Sequence, residues 1–153
     1  GDKGLAGGMS WYKSADHKPS VVFRPYEPPA QEPSAEFPFW FCTGRLLEHW
    51  HTGTMTRRVE ELDRALPEAL LSMNADDAAA LGVNDGDMVQ LTSPHGTMQI
   101  KVSLAGRVEP PSGMVFAPFF AAETLINRVV QDYYCPLSKE TDYKKTCVSI
   151  KKA

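Results

Sequence analysis

The residue types best suited to chemistry are concentrated between residues 43 and 58. This stretch of sixteen residues holds two glycines, two histidines, four threonines and three arginines. Glycine lets a ligand approach the backbone closely, hydroxyl groups hydrogen-bond, and guanidinium groups bind anionic oxygens in a bidentate manner. The composition predicts a site for a ligand that joins a ring system to anionic groups. A solvated polar loop is the alternative.

Two histidines of this stretch, His49 and His51, are separated by one residue. Two imidazoles without a neighbouring cysteine or carboxylate are an incomplete ligand set for zinc or iron. On a strand the two side chains would share one face, where neutral imidazoles could hydrogen-bond a heterocycle or a phosphate. The spacing therefore favours contacts with an organic ligand, and no metal site is predicted.

Motifs for self-contained catalysis are absent from the sequence. It has no G-x-S-x-G elbow, no Walker loop and no Ser-His-Asp order, so catalysis by this chain alone is not expected. The cysteines, Cys42, Cys135 and Cys147, are odd in number and lack C-x-x-C spacing, which argues against a disulfide framework, a zinc knuckle or an iron–sulfur site. We predict that all three are thiols outside any disulfide, and that Cys42 and Cys147 are buried as small apolar residues.

Charge and hydropathy exclude two classes of partner. Sixteen Lys and Arg against nineteen Asp and Glu give a formal net charge of -3, so the chain lacks the overall positive charge typical of nucleic-acid binding. Any anion site must therefore be local. The longest apolar runs, such as residues 114–122, fall well short of the roughly 18 residues that a membrane-spanning helix needs.

The first half of the chain is organised by prolines, glycines and apolar patterning. Residues 1–36 are rich in proline and glycine and predict an extended lead-in, followed by a barrel domain over 37–153. The predicted elements begin with a buried strand at 37–42, a helix over 59–66 that Pro67 ends, and a strand at 68–73. A second helix is then expected from an Asn74 N-cap to a Gly82 C-cap.

The second half predicts mainly strands. Alternating apolar and polar residues at 88–93 and 98–102 flank a Pro94-His95-Gly96 turn and indicate a β-hairpin. A strand at 114–117, a helix over 122–131 and a last strand at 147–150 follow. Because the strands are short and long βαβ crossovers are missing, a mainly β fold with short helices, closed as a barrel, is favoured over a parallel doubly wound sheet.

Two further segments accompany the stretch at 43–58: Pro-Phe-Phe at 118–120 and the ten residues PLSKETDYKK at 136–145. Together the three blocks resemble the C-terminal cofactor-binding domain of periplasmic nitrate reductases, which belong to the molybdopterin oxidoreductases. The resemblance covers nearly all of residues 20–150. Formate dehydrogenases of the same superfamily are less similar, because their corresponding loop lacks the E-H-W-H-T-G run found at 48–53.

The resemblance implies a double-psi β-barrel and a specific set of site residues. It places Phe119 beside the substrate. Because Phe119 and Phe120 are adjacent, only one of them can face the substrate if they lie on a strand. The positions that match contacts with the molybdopterin guanine dinucleotide are Thr43, Gly44, Arg45, Leu46, Leu47, Glu48, His49, Trp50, His51, Thr52, Asn127 and Lys144.

The resemblance also implies the wider enzyme. The expected function is reduction of nitrate to nitrite in the periplasm by a molybdenum bis-molybdopterin guanine dinucleotide enzyme that receives electrons from a c-type cytochrome. The metal-binding cysteine and a 4Fe-4S cluster would lie in the rest of the catalytic subunit, so the isolated chain is expected to be inactive. The alternatives are the same domain of a formate dehydrogenase or of an assimilatory nitrate reductase, and a free-standing barrel that acts as an interaction module.

Overall fold

Six strands close into a barrel in the computed structural model, which describes residues 18, 21–23, 25–136 and 138–153. Around the barrel the strands follow the order β1-β5-β2-β4-β3-β6. Their bounds are β1 Phe39–Gly44, β2 Leu71–Met73, β3 Met88–Ser93, β4 Gly96–Ser103, β5 Met114–Pro118 and β6 Thr146–Lys152.

The pairing pattern has an internal symmetry. Strands β1 and β5 are parallel, as are β2 and β4, while the other four pairs are antiparallel. Exchanging β1 with β4, β2 with β5 and β3 with β6 leaves both the order and the directions unchanged. The barrel thus consists of two interlocked three-stranded halves, and the expected double-psi β-barrel is confirmed.

The core lies inside the barrel because alternate residues of each strand point inward. In β1 buried residues alternate with half-buried ones from Phe39 to Gly44, and in β3 Val89, Leu91 and Ser93 are buried. Successive side chains of any β-strand point to opposite faces of the sheet. Fully buried large apolar side chains come from all six strands and include Phe41, Leu71, Leu91, Val102, Val115 and Val148.

Two short α-helices, α1 Glu60–Ala65 and α2 Ala75–Leu81, lie outside the barrel strands. The caps predicted for α2 are confirmed: Asn74 accepts the Asp76 N–H at 2.9 Å, and Gly82 has a left-handed φ of 66°. Glycine adopts that conformation without the Cβ penalty. The helix predicted at 59–66 and the hairpin of β3 and β4 are also confirmed, with small shifts at their ends.

The helix predicted over 122–131 is wrong. Within this range only Ile126–Arg128 forms a single 3-10 turn. Backbone groups near the end of this range are bonded to the barrel: the Gln131 N–H, which an α-helix would bond to the Asn127 carbonyl, donates to Thr146 Oγ1 at 2.8 Å. Ser93 Oγ donates to the Val129 carbonyl at 2.7 Å. The strand predicted at 68–73 is likewise shorter and begins at Leu71.

Most of the predicted lead-in, residues 1–17, 19, 20 and 24, lies outside the described residues. The described part from 25 to 38 contains no helix or strand. It is attached to the barrel through Gln31, whose Oε1 accepts the Cys147 N–H at 3.1 Å and whose Nε2 lies 3.0 Å from His95 Nε2. The domain boundary at 36/37 remains a prediction.

The tip of the β3–β4 hairpin supports the turn that carries Asn127, and Gly96 makes this possible. An added Cβ at Gly96 would overlap the carbonyl oxygen of Arg128, whereas at Gly106 it would first meet Ser103 Oγ at 3.2 Å, a side chain that can turn away. We predict that Gly96→Ala lowers the free energy of unfolding by about 1–3 kcal/mol because a backbone atom must shift. Gly106→Ala is the matched control and should stay within about 0.5 kcal/mol. Denaturant unfolding measures both, and equal stabilities would contradict the close approach.

Candidate functional site

A cavity of about 320 Å³ opens where the segments after β1 and β5 meet the segment before β6. Strands β1 and β5 are parallel and in register to their ends, with Gly44 opposite Pro118, so the residues that follow each strand emerge side by side. Among the described residues, no carboxylate contributes to the wall. The lining residues are Thr43, His51, Thr52, Phe119, Ala121, Thr124, Leu125, Ile126, Asn127, Tyr143 and Lys144.

Lys144 closes one side of the cavity. Its Nζ donates to the carbonyl oxygen of Thr43 and lies 3.3 Å from Thr43 Oγ1. The Thr43 hydroxyl in turn donates to the Tyr143 carbonyl at 3.3 Å. The end of β1 is thereby tied to the segment before β6, and an ammonium group is fixed at the cavity wall.

Phe119 lies close to two cations. The Arg45 guanidinium carbon is 5.7 Å from the ring centroid and Lys144 Nζ is 5.5 Å from it, while the His51 ring approaches edge-on at 5.3 Å. Among the residues that the structure describes, neither Arg45 nor Lys144 forms an ion pair with a carboxylate. Two positive charges without a counter-charge beside a cavity favour an anionic ligand.

Phe120 has a different environment from its neighbour. It is 3% exposed, packs with Ala69 and Ala121, and stacks on the His49 ring at 4.1 Å between centroids. Strand β5 ends at Pro118, so the two phenylalanines follow the strand and are not part of it. The strand on which the prediction for this pair depended is therefore absent at 119–120, and of the two residues only Phe119 lines the main cavity.

The expected strand geometry of His49 and His51 is wrong, because residues 45–55 contain no strand. His51 adopts a φ of 53° and lines the cavity. His49 is 2% exposed, and both of its ring nitrogens have protein partners: Nε2 lies 2.8 Å from the Leu66 carbonyl and Nδ1 lies 3.1 Å from Thr56 Oγ1. The two imidazoles therefore have different surroundings, and only that of His51 borders the cavity.

Several of the predicted cofactor contacts in the 43–58 stretch do not line the main cavity. Leu47 and Trp50 are 89% and 72% exposed. Glu48 pairs with Arg107 at 2.5 Å at a separate cavity of about 230 Å³, which Leu46 also lines. Gly44 leaves no space for a Cβ because the Phe116 ring lies against it. Of the predicted contacts, those that line the main cavity are Thr43, His51, Thr52, Asn127 and Lys144.

Arg57 joins the 43–58 stretch to helix α1 and to the segment after β5, a role that the sequence did not reveal. Its Nε lies 3.0 Å from Asp63 Oδ1, and its Nη1 lies 3.1 Å from Glu123 Oε2. Both bonds raise the pKa of the Arg57 guanidinium, and the bond to Asp63 has the larger effect. The pKa of Glu123 is lowered by its own backbone N–H and then by Arg57. Glu123 therefore stabilises the fold above the ordinary carboxyl pKa, and this stabilisation is lost as the pH falls through the lowered value.

The barrel that carries this cavity matches a known protein family. The profile described as "Molydopterin dinucleotide binding domain" matches residues 39–148, more than two thirds of the chain. The chain belongs to this family. Its match begins at the first residue of β1 and ends within β6, so it spans the whole barrel.

One solved structure shares the fold of this molydopterin dinucleotide binding domain, and a second gives a weaker match. Acetylene hydratase from Pelobacter acetylenicus superimposes with a TM-score of 0.66 at 15% identity, over 76% of this chain and 18% of that one. The chain thus spans less than a fifth of that enzyme. The rationally designed mkDPBB_sym_86 protein matches with a TM-score of 0.40 at 15% identity, over 79% of this chain and 98% of that one.

The cavity of this family member fits the chemistry of a molybdopterin dinucleotide. The cofactor combines a planar heterocycle, which needs donors and acceptors, with phosphates, which need cations and amides. Threonine hydroxyls, the Asn127 amide and the Lys144 ammonium supply these groups. In an adjoining cavity that Asn127 and Tyr143 also line, Gln131 Nε2 donates to the Asp142 carbonyl at 2.6 Å, but its buried Oε1 has no hydrogen-bond partner among the described residues. A donor there would remove the cost of that unpaired acceptor.

In the described part of this family member, no group of three or more histidine, cysteine, aspartate or glutamate side chains is arranged to hold a metal ion. No helix there is long and apolar enough to cross a membrane. No disulfide links the cysteines; Cys147 is buried as predicted, with burial raising the pKa of its thiol, while Cys42 is only half-buried.

The burial of His49 predicts a stability effect that its exposed neighbour Arg45 should not show. His49→Ala removes a stacked ring and leaves the Leu66 carbonyl without its donor, so the free energy of unfolding should fall by about 2 kcal/mol or more. Arg45→Ala removes an exposed side chain and should change it by no more than about 0.5 kcal/mol. Denaturant unfolding of the two variants tests this, and equal stabilities would show that His49 is not a packing residue.

Proposed function

We propose that this domain is the C-terminal cofactor-binding domain of a periplasmic nitrate reductase, which binds molybdenum bis-molybdopterin guanine dinucleotide and reduces nitrate to nitrite. The observation that supports this most directly is the pair of cations, Arg45 and Lys144, beside the Phe119 ring, which lines a cavity with no carboxylate among the described residues. An anionic cofactor and an anionic substrate are both favoured in such a field.

Residues of the main cavity would hold the cofactor. The hydroxyls of Thr43 and Thr52 and the amide of Asn127 can hydrogen-bond the pterin, and the Lys144 ammonium can bind an anionic oxygen of the dinucleotide. The bound molybdenum supplies the redox chemistry of oxygen transfer, which belongs to the cofactor and not to the protein. This chain would bind and orient the cofactor, and the Phe119 ring would form part of the wall beside it.

Nitrate is favoured over the alternatives by two separate features. The charge of the site favours an anion over a neutral substrate, which leaves nitrate and formate. The E-H-W-H-T-G run at 48–53 is present in periplasmic nitrate reductases and missing from the corresponding loop of formate dehydrogenases. An assimilatory nitrate reductase would carry out the same reaction with a different electron donor, and a free-standing barrel would carry out none.

The proposed enzyme needs more than this chain. The rest of the catalytic subunit would supply the metal-binding cysteine and the 4Fe-4S cluster, a c-type cytochrome would supply the electrons, and the isolated chain would not turn over nitrate. Exposed apolar side chains on the 43–58 stretch, those of Leu47, Trp50 and Met55, support an interface with the rest of the subunit. Large exposed apolar groups that lie close together in the sequence are typical of interaction surfaces.

Lys144→Ala in the complete enzyme should lower cofactor retention. A charge-assisted hydrogen bond contributes about 1.5–3 kcal/mol, so its loss should weaken binding about tenfold or more. Lys151→Ala, which removes an exposed lysine from β6, is the control and should retain wild-type molybdenum. Molybdenum per protein, measured after dialysis, is the readout. Equal contents in the two variants would contradict a role of Lys144 in cofactor binding.

The substrate assignment is tested by assaying the complete enzyme with nitrate and reduced viologen, and separately with formate and oxidised viologen. We expect turnover with nitrate only. Phe119→Ala should raise the KM for nitrate several-fold with a normal molybdenum content, because the ring borders the cavity. Phe120→Ala should instead lower the free energy of unfolding by about 3–5 kcal/mol. Turnover of formate, or a KM effect confined to Phe120→Ala, would overturn the assignment.

A further inference from the structure

The hydroxyl of Thr56 lies at the centre of a small hydrogen-bond network that includes the residues on both sides in sequence of His51 and Thr52. Thr56 Oγ1 accepts the backbone N–H of Trp50 at 3.1 Å and lies 3.1 Å from His49 Nδ1. Thr56 follows the ten-residue run that resembles the cofactor contacts, and its side chain does not line the main cavity. It is therefore a candidate for a role in the site that does not involve ligand contact.

The direction of each hydrogen bond follows from the chemistry of the partners. The Leu66 carbonyl only accepts, so the His49 Nε2 that lies 2.8 Å from it must carry a hydrogen. In the neutral ring Nδ1 is then an acceptor, and the Thr56 hydroxyl donates to it. Because Thr56 Oγ1 also accepts from Trp50, the hydroxyl is engaged as donor and acceptor at once.

The network fixes the backbone on which the cavity residues stand. The Gly53 N–H donates to the Trp50 carbonyl and the Arg57 N–H donates to the Gly53 carbonyl, both at 2.9 Å. His51 and Thr52 lie inside the first of these turns and reach the cavity from it. The φ of 53° at His51 is uncommon for a residue other than glycine and persists only where the surroundings impose it.

We propose that Thr56 is a positioning residue of the cofactor site. Through its bonds to the His49 ring and the Trp50 N–H, it holds His51 and Thr52 in the cavity wall. His49 acts through Thr56 and not by touching the ligand, since the ring is buried against Phe120 with both nitrogens bonded within the protein. The proposal rests on the proposed cofactor binding, and its local part concerns this chain alone.

The test compares Thr56→Val, which keeps the shape but removes the hydroxyl, with Thr56→Ser, which keeps the hydroxyl. Thr54→Val is the matched control, because Thr54 is exposed and its hydroxyl lies 3.4 Å from that of Thr52. In the 153-residue chain, amide hydrogen exchange at Trp50 and the ¹⁵N resonance of His49 Nδ1 are measured. In the complete enzyme, molybdenum per protein is measured after dialysis. If Thr56→Val does not fold, Thr56→Ala takes its place.

We expect Thr56→Val to speed exchange at the Trp50 amide about five- to tenfold, to shift the Nδ1 resonance and to lower molybdenum retention, while Thr56→Ser and Thr54→Val stay near wild type. Wild-type retention in Thr56→Val overturns the proposal, and so does equal loss in Thr56→Ser, which would indicate packing and not the hydroxyl. A wild-type enzyme without molybdenum overturns the cofactor function and with it the role of Thr56. Unchanged Trp50 exchange in Thr56→Val overturns the network even if molybdenum is lost.

Discussion

The parallel pairing of β1 with β5 is the constraint on which the site depends. Parallel strands end at the same edge of a sheet, and here the register holds to the last pair, Gly44 and Pro118. The chain that leaves β1 and the chain that leaves β5 must therefore run beside each other, although they are more than seventy residues apart in sequence. Arg45 meets Phe119, and His49 meets Phe120, because of this register.

The arginines of the 43–58 stretch differ in what they do, although their chemistry is the same. Arg57 is bound by two carboxylates and the Pro67 carbonyl, so its charge is used to join three segments of the fold. Arg45 lies beside Phe119 and has no carboxylate partner among the described residues. A chain with a net charge of -3 can thus present a locally positive cavity, because the available carboxylates neutralise other cations.

Elements governed by local rules could be predicted from the sequence. The β3–β4 hairpin follows from alternation and a turn, and α2 follows from a capping asparagine and a closing glycine, all within a few residues. The helix predicted at 122–131 failed because its backbone groups bond to Ser93 and Thr146, which lie far away in sequence. Periodicity reports the burial of side chains and does not report which partner a carbonyl or amide will find.

The contrast between local patterns and long-range contacts also applies to the predicted site residues. The residue types of the 43–58 stretch predicted a ligand site, and Thr43, His51 and Thr52 of this stretch do line the main cavity. It could not separate His49 from His51, because strand periodicity was assumed where the chain turns through a positive φ at His51. That turn places one imidazole in the protein interior and the other at the cavity. The 43–58 stretch contains residues that line the cavity and residues that pack inside the protein. Only the long-range contacts with Leu66 and Phe120 show that His49 is a packing residue.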